Sequence, residues 1–315
     1  MNATALPDNK RVFATAAVNL VLAVSIAHAQ EPVLEEVIVT AQKRVENVQD
    51  IPLTVNVLDG NVLDAFTIRN TNDLAASVPG LTIQHTPQNL AQVTVRGLGT
   101  GSGGESLDQS VGLFIDGIWA GRIREFQASL FDVERVEVIK GTQTTLLGKN
   151  TSLGAVTILS RRPGEQLAGY IQGSYEFEFD SAYATGAVDL PTAFGNYRLS
   201  FNEIDEAGYV DNGATGNEVP ERDQTTLRLG GSWLIGDVGD LFLMYQWDEL
   251  EIAGDTFQPD RDTLGFMAAM DPAADIGINR RKHAYTSYGR TGDAHDEQDS
   301  QRAVLQYDHD IGDYR

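Results

Sequence analysis

The chain has 315 residues, with 23 Lys and Arg against 45 Asp and Glu, a net charge of −22 and no Cys. That charge argues against a nucleic-acid binder and against a basic membrane-surface patch. The lack of cysteine removes disulfides and thiolate metal sites, and the length allows two domains of ordinary size.

In chain order, Lys10 and Arg11 form a short positive region, Val12–Ile26 is mostly apolar, and Ala27-His28-Ala29 is a small-x-small cleavage site. Residues 1–29 therefore read as a secretory signal peptide, with the mature chain starting at Gln30. The bland alternative, a membrane anchor, needs about 20 apolar residues, and Val12–Ile26 is shorter and includes Asn19 and Ser25. No later run is long enough for a transmembrane helix. An exported chain without one is periplasmic, secreted, or a membrane β-barrel, the other structure that satisfies every backbone group in lipid.

Residues 30–44 are the next unit: a polar, flexible segment, Glu31–Arg44, with a β-prone centre at Leu34–Ala41, LEEVIVTA. By composition this is an ordinary first strand. A run able to leave its own fold also suits strand addition to an exposed sheet edge of another protein.

Residues 45–163 read as a compact α/β segment. Ile51–Leu58 alternates like a strand, and Gly60–Ile68 reads as a short helix opened by Asp59. Thr71–Val78 reads as a second helix, capped by Asn70 and stopped by Pro79-Gly80. Leu81–Gln84 and Gln92–Arg96 follow as strands. Val111–Ile115, Asp116-Gly117 and Ile118–Arg122 make strand, turn and strand, because Asp-Gly favours a tight hairpin. Gly99, Gly101 and Gly104 satisfy G-x-G-x-x-G after a strand, but no helix opens at the last glycine to hold a pyrophosphate, and Glu105–Ser110 is short and polar. A flexible, ligand-facing loop is the better reading of these three glycines. Two β-branched runs, Arg135–Lys140 and Ala155–Leu159, then flank a segment rich in Gly, Thr, Ser and Asn.

The wording of Phe131–Pro163, FDVERVEVIKGTQTTLLGKNTSLGAVTILSRRP, is more specific than its pattern. It resembles the end of the plug domain of TonB-dependent outer-membrane receptors, of the iron-chelate type. The matching positions are Asp132, Glu134, Glu137, Gly141, Gln143, Leu146, Gly148, Asn150, Gly154, Ala155 and Pro163. Departures are Thr142 for the usual Pro, Leu147 for the usual Tyr and Leu153 for the first Gly of a pair, which puts local turn geometry in question. Arg96-Gly97 in VTVRGLG and Asp116-Gly117 in VGLFIDGIWAGR also resemble plug wording.

The resemblance implies that Leu34, Glu35, Glu36, Val37, Ile38, Val39, Thr40 and Ala41 form a TonB box, which engages the periplasmic energy-coupling protein TonB. It implies an iron–siderophore complex as cargo, with vitamin B12, glycans or other bulky solutes as alternatives, and the outer membrane of a Gram-negative bacterium as location. It further suggests that the basic plug residues Arg96 and Lys140 face barrel glutamates beyond Arg315, so that neither pairs with a carboxylate of this chain; the alternative is solvent-exposed charge. A passive pore or adhesin would lack the coupling box and the plug. A periplasmic oxidoreductase using the glycine loop is a third reading.

Residues 164–315 change character. In Leu167–Phe179, Ile171, Gly173, Tyr175, Phe177 and Phe179 alternate with Gln172, Ser174, Glu176 and Glu178, the lipid-out, polar-in dyad of a barrel strand. A half-buried strand of a soluble sheet has the same period. Further strands are expected at Ala182–Leu190, Tyr197–Ile204, Thr225–Ile235, Leu241–Leu250 and Gln298–His309. The connections between them alternate between short and mostly long, as periplasmic turns and external loops do. The expected fold is thus an α+β plug followed by an antiparallel transmembrane β-barrel cut off at about six strands, against about 22 in the plugged transporters. The chain is expected to be an N-terminal fragment.

Enzyme chemistry finds no foothold. His85, His283, His295 and His309 are scattered, and no EF-hand, G-x-S-x-G or H-E-x-x-H spacing occurs. His295, near Asp293, Asp296 and Glu297, reads as part of a solvated acidic external loop. No catalytic residue, metal ligand or cofactor is assigned.

Overall fold

The computed structural model describes residues 38–39, 46–49, 51–85, 91–100, 108–121, 123–127, 129–212, 216–236, 238–254, 282–283 and 295–309. Two short strands come first, β1 (Ile38–Val39) and β2 (Glu46–Asn47), paired antiparallel. Then follow β3 (Thr54–Asp59), helices α1 (Gly60–Ala65) and α2 (Thr71–Ser77), β4 (Leu81–His85), β5 (Ala91–Val95) and β6 (Leu98–Gly99). β7 (Val111–Ile115), β8 (Ile118–Trp119), a 3-10 turn at Ile123–Gln127, β9 (Val133–Lys140), α3 (Thr144–Leu147) and β10 (Gly154–Ser160) complete this part.

Its main sheet has the order β3-β9-β10-β7-β8, with β10 parallel to β7 and the other pairs antiparallel. A second sheet, β4-β5-β6, packs with α2 over one face. Strand alternation sets the layering. Val136 and Val138 of β9 join Leu63, Leu74, Val93, Leu113 and Phe126 in the larger core, while Ile139 joins Ile51, Phe114 and Ala155 on the opposite face.

The caps are those the sequence implies. The Asp59 carboxylate accepts the Val62 amide at 3.0 Å. Asn70 accepts the amides of Asn72 and Asp73, whose own carboxylate takes the Asn70 amide, a capping box. Gly60 opens α1 where a Cβ would lie 2.2 Å from the Val133 carbonyl oxygen. Gly60→Ala is therefore expected to destabilise this part by about 1–3 kcal/mol despite the better helix propensity of Ala. Faster amide exchange at Val136–Val138 in detergent-held whole chain would register the loss.

The remaining long strands form one antiparallel wall: β11 (Ala168–Glu176), β12 (Ser181–Thr192), β13 (Gly195–Glu206), β16 (Glu221–Ile235), β17 (Gly239–Ala253) and β19 (His295–His309). Adjacent connections alternate in character. β12 and β13 are joined by Ala193-Phe194, and β16 and β17 by residues 236–238, whereas residues 207–220 and 254–294 are long. Within the long connections, β14 (Val210–Asn212) pairs with β15 (Glu218–Val219) and, in parallel, with β18 (Lys282–His283). The first connection, residues 177–180, is short although it lies at the end with the long ones.

All six expected wall strands form, mostly longer than their apolar cores suggested, because ladder pairing continues into polar residues such as Asp296–Asp299. One face carries exposed apolar side chains, among them Ile171 (81%), Leu229 (55%) and Leu305 (72%), while Phe177, expected within the first strand, lies in the connection after β11. The other carries Arg198, Ser200, Asn202, Gln224, Thr226 and Arg228, all buried against the first part. A strand with exposed apolar and buried polar residues is inside-out for a soluble sheet and right for a wall between lipid and a polar lumen. No described helix is long and apolar enough to cross a membrane, which says nothing of strands.

Candidate functional site

Three places bear on function: the N-terminal strand pair, the turns that carry the motif residues, and the seam between α/β part and wall. Of Leu34–Ala41, Ile38 and Val39 form β1, opposite Asn47 and Glu46. Leu34, Glu35, Glu36, Val37, Thr40 and Ala41 lie outside the described residues. The pair is a two-stranded sheet, and among the described residues no third strand lies beside β1. An exposed sheet edge is what strand addition uses.

The motif residues are mostly turn makers. Arg96 and Gly97, both with positive φ (54° and 77°), link β5 to β6, and the Arg96 amide donates to the Gly80 carbonyl at 2.7 Å. Arg96 was expected to end a strand; the left-handed pair forms a two-residue hairpin turn instead. Asp116 and Gly117 (51° and 78°) do the same between β7 and β8. The Asp116 carboxylate also accepts the Ser160 amide at 2.7 Å and the Ser160 hydroxyl at 2.8 Å, tying this turn to the end of β10.

Gly141 and Gly148 take positive φ beside α3, a helix that the sequence reading treated as loop. Thr142, in place of the pattern's Pro, donates its hydroxyl to the Ser152 carbonyl at 2.8 Å, so the departure brings its own tether. Leu153 donates its amide to the Ser110 carbonyl, and a Cβ on Gly154 would lie 2.5 Å from the Ile139 carbonyl oxygen. Glu137 is buried in β9, its carboxylate accepting Arg135 Nε at 2.9 Å.

Of the three loop glycines, Gly101 and Gly104 lie outside the described residues. Gly99 sits in β6, where a Cβ would meet the Val93 carbonyl oxygen at 2.2 Å, a packing reason for glycine that needs no ligand. His295 is the first residue of β19, not part of a loop, and stands 3.0 Å from Glu297. The described residues hold no group of three or more His, Cys, Asp or Glu placed to bind a metal ion.

The seam between the two parts is densely polar, and the sequence reading placed its locks elsewhere. Arg96 makes no carboxylate contact among the described residues, and Lys140 donates to the Pro79 carbonyl. Burial and the neighbouring Arg96 hold the Lys140 ammonium below its usual range. The charges that do meet are others. Arg198 of β13 grips both oxygens of Asp132 and reaches Asp189 at 2.6 Å. Arg228 of β16 donates to the carbonyls of Asp132 (3.0 Å) and Phe131 (3.5 Å), with its guanidinium 4.5 Å from the Phe131 ring centre.

Towards the end with long connections, Arg69 donates to Ser174 at 2.7 Å and lies over the Tyr183 ring at 3.9 Å. Arg124 pairs with Asp296, Glu125 with Arg302 at 3.5 Å, and Arg222 donates to the Gln127 carbonyl at 3.1 Å. At the tight-turn end, Arg162 reaches Gln306 at 2.7 Å and the Gly164 amide donates to Asp189 at 3.0 Å. A cavity of about 60 Å³ between α1 and β11–β13 is lined by Asp64, Arg69, Ser129, Gln172, Thr185 and Asn202. That is polar enough and roomy enough for a few waters. Burial pushes the Asp64 carboxyl up, partly offset by Arg161 and reinforced by Asp132.

An α/β part seated by polar contacts against the lumen face of an inside-out wall is the arrangement of a plug. Residues 47–155 match the family described as TonB-dependent Receptor Plug Domain. Residues 47–155 are a plug domain of this type. Among curated relatives, it is 28% identical over 205 residues to the pesticin receptor of Yersinia pestis, an alignment spanning 62% of this chain and 29% of that protein. It is 21% identical over 272 residues to a catecholate siderophore receptor of Escherichia coli, spanning 84% of this chain and 33% of that one.

Among solved structures, the ferric yersiniabactin uptake receptor of Yersinia pestis superposes with a TM-score of 0.68 at 17% identity, over 82% of this chain and 38% of that chain. The ferripyoverdine receptor of Pseudomonas aeruginosa does so at 0.67 and 15%, over 87% and 34%. The chain thus spans about a third of the length of the relatives it matches. The fold is a plug followed by an antiparallel sheet like part of these receptors' barrels.

Proposed function

We propose that the chain supplies the plug and first wall strands of an outer-membrane receptor that actively imports an iron–siderophore complex. The observation that carries this reading is the plug seated by its charged seam on a wall whose outer face is apolar, preceded by a β-prone segment of which Ile38–Val39 forms a strand. The names of the relatives point the same way: they include a catecholate siderophore receptor and an iron-regulated outer membrane virulence protein. In this reading the signal at residues 1–29 exports the chain. Ile171, Leu229 and Leu305 face outer-membrane lipid. Leu34–Ala41 adds as a strand to TonB, which pulls on the plug when a ligand is bound. The relatives are receptors, not enzymes, and no cofactor is assigned.

The test uses a receptor carrying this chain with a complete wall, in iron-starved cells offered ferric catecholate, yersiniabactin and pyoverdine complexes. Val37→Pro removes one backbone donor from the coupling strand. Binding of the transported chelate should persist while its uptake is lost. Unchanged uptake would remove the coupling role of Leu34–Ala41, and failure of every ferric chelate to bind would remove the cargo assignment.

A further inference from the structure

Two wall arginines of the seam meet at one plug residue. Asp132 stands just before β9 with a left-handed backbone (φ 50°). Its two carboxylate oxygens accept Arg198 Nε (2.9 Å) and Nη2, and its carbonyl accepts Arg228 Nη1 at 3.0 Å. The donors come from adjacent strands in a fixed register. Ser200 pairs with Arg228 and Arg198 with Gly230, so the two guanidinia lie two positions apart on the lumen face. All three side chains are buried, with 7% exposure for Asp132, 5% for Arg198 and 6% for Arg228.

Buried in the seam, Arg228 is poorly satisfied by the wall alone. Asp189, on the neighbouring strand, serves Arg198 from within the wall. Among the described wall residues, Arg228 has Gln246 Oε1 at 3.0 Å as its hydrogen-bond acceptor. One neutral acceptor does little for a desolvated guanidinium with five donors. The carbonyls of Phe131 and Asp132 and the face of the Phe131 ring complete its surroundings. A fork-to-fork guanidinium–carboxylate pair is directional as well as strong. It therefore selects one placement of the plug where a scattered set of polar contacts would accept several.

We propose that the Asp132 turn is the seating latch of the plug: a positioning device in which Arg198 and Arg228 of the wall read one plug residue and so fix how the plug sits in the lumen. Arg198, Arg228 and Asp132 are positioning residues, and their role stands whatever solute is carried.

The chain has no Cys, so a reporter pair can be placed cleanly. Ser129 Oγ and Asn202 Nδ2 are 3.2 Å apart across the seam, and Ser129→Cys with Asn202→Cys can be bridged by a short bifunctional thiol reagent when the plug is seated. In the whole chain held in detergent, Asp132→Asn and Arg198→Gln should each slow bridging by at least about tenfold. The double variant should lose little more than either single one, because both remove the same contact. Asp189→Asn, which takes away only the wall partner of Arg198, should slow it much less. Bridging by Asp132→Asn at the parent rate, or single effects that multiply in the double variant, would overturn the latch. So would loss of amide protection at Val136–Val138 in Asp132→Asn, since Asp132 would then act on plug folding and not on seating.

Discussion

Phe126→Ala should lower the unfolding free energy of the plug by about 3–5 kcal/mol, the range for a buried aromatic truncated in a packed core. Phe126 is 1% exposed and packs with Leu74, Val93, Leu113 and Val136, although it sits in a 3-10 turn, not in a strand or helix. The same turn carries Arg124, Glu125 and Gln127, each in contact with the wall. The substitution should therefore have two readouts: a lower denaturant midpoint for plug amides, and weaker coupling of Glu125 to Arg302 in a double-mutant cycle. A midpoint within experimental error of the parent would mean that the turn is not the core element described.

Asp116→Ala is expected to be nearly as damaging, at about 2–4 kcal/mol. It removes two hydrogen bonds to a charged acceptor, those from the Ser160 amide and hydroxyl. It also places Ala at φ 51°, a region Asp tolerates better. Asp116→Asn separates the two causes: it keeps the turn preference and one acceptor oxygen, so it should recover about half of the loss. The check is thermal unfolding of the whole chain in detergent, with the exchange rate of the Ser160 amide reporting on the bond itself. An Asn variant as unstable as the Ala variant would show that the negative charge, not the turn, is what matters.

Much of the plug was legible because its local signals are strong. Asp59 and Asn70 announced the starts of α1 and α2, Asp116-Gly117 announced a hairpin, and the alternation in Arg135–Lys140 announced β9. Strand ends were less legible. Arg96 continues the β-prone run of Val93–Val95, yet the backbone turns there, since a two-residue hairpin with Gly97 joins β5 to β6. α3 escaped because Thr144–Leu147 is a single turn without a side-chain cap. The wall strands followed from their period of two, although the first of them, expected over Leu167–Phe179, ends at Glu176.

The seam was not legible, and the reason is physical. Arg198 and Arg228 each look like a solvated charge on an alternating strand; only the tertiary arrangement brings them to Asp132. The one available signal was parity. In YRLSF the Arg falls on the same side as Ser200, and in TTLRL Arg228 shares its side with Thr226, so both point away from the apolar face. A long charged side chain on the polar side of a barrel strand needs a partner in the lumen. Asp132, by contrast, was matched as a family position without a role, and its left-handed turn has no local signature beyond the tolerance of Asp for that conformation.

The spacing of these contacts along the chain has a consequence for substitutions in the wall. The core of the plug is closed by residues 51–158. Its wall partners arrive later: Arg198 lies 66 residues beyond Asp132, Gln306 lies 144 beyond Arg162, and Asp296 lies 172 beyond Arg124. The contacts that close the plug core therefore come from a stretch of chain that precedes every wall strand. The largest separations belong to β19, whose Asp296 and Arg302 meet a turn that ends at residue 127. A substitution in β19 would therefore remove contacts that hold the plug without touching those that close its core.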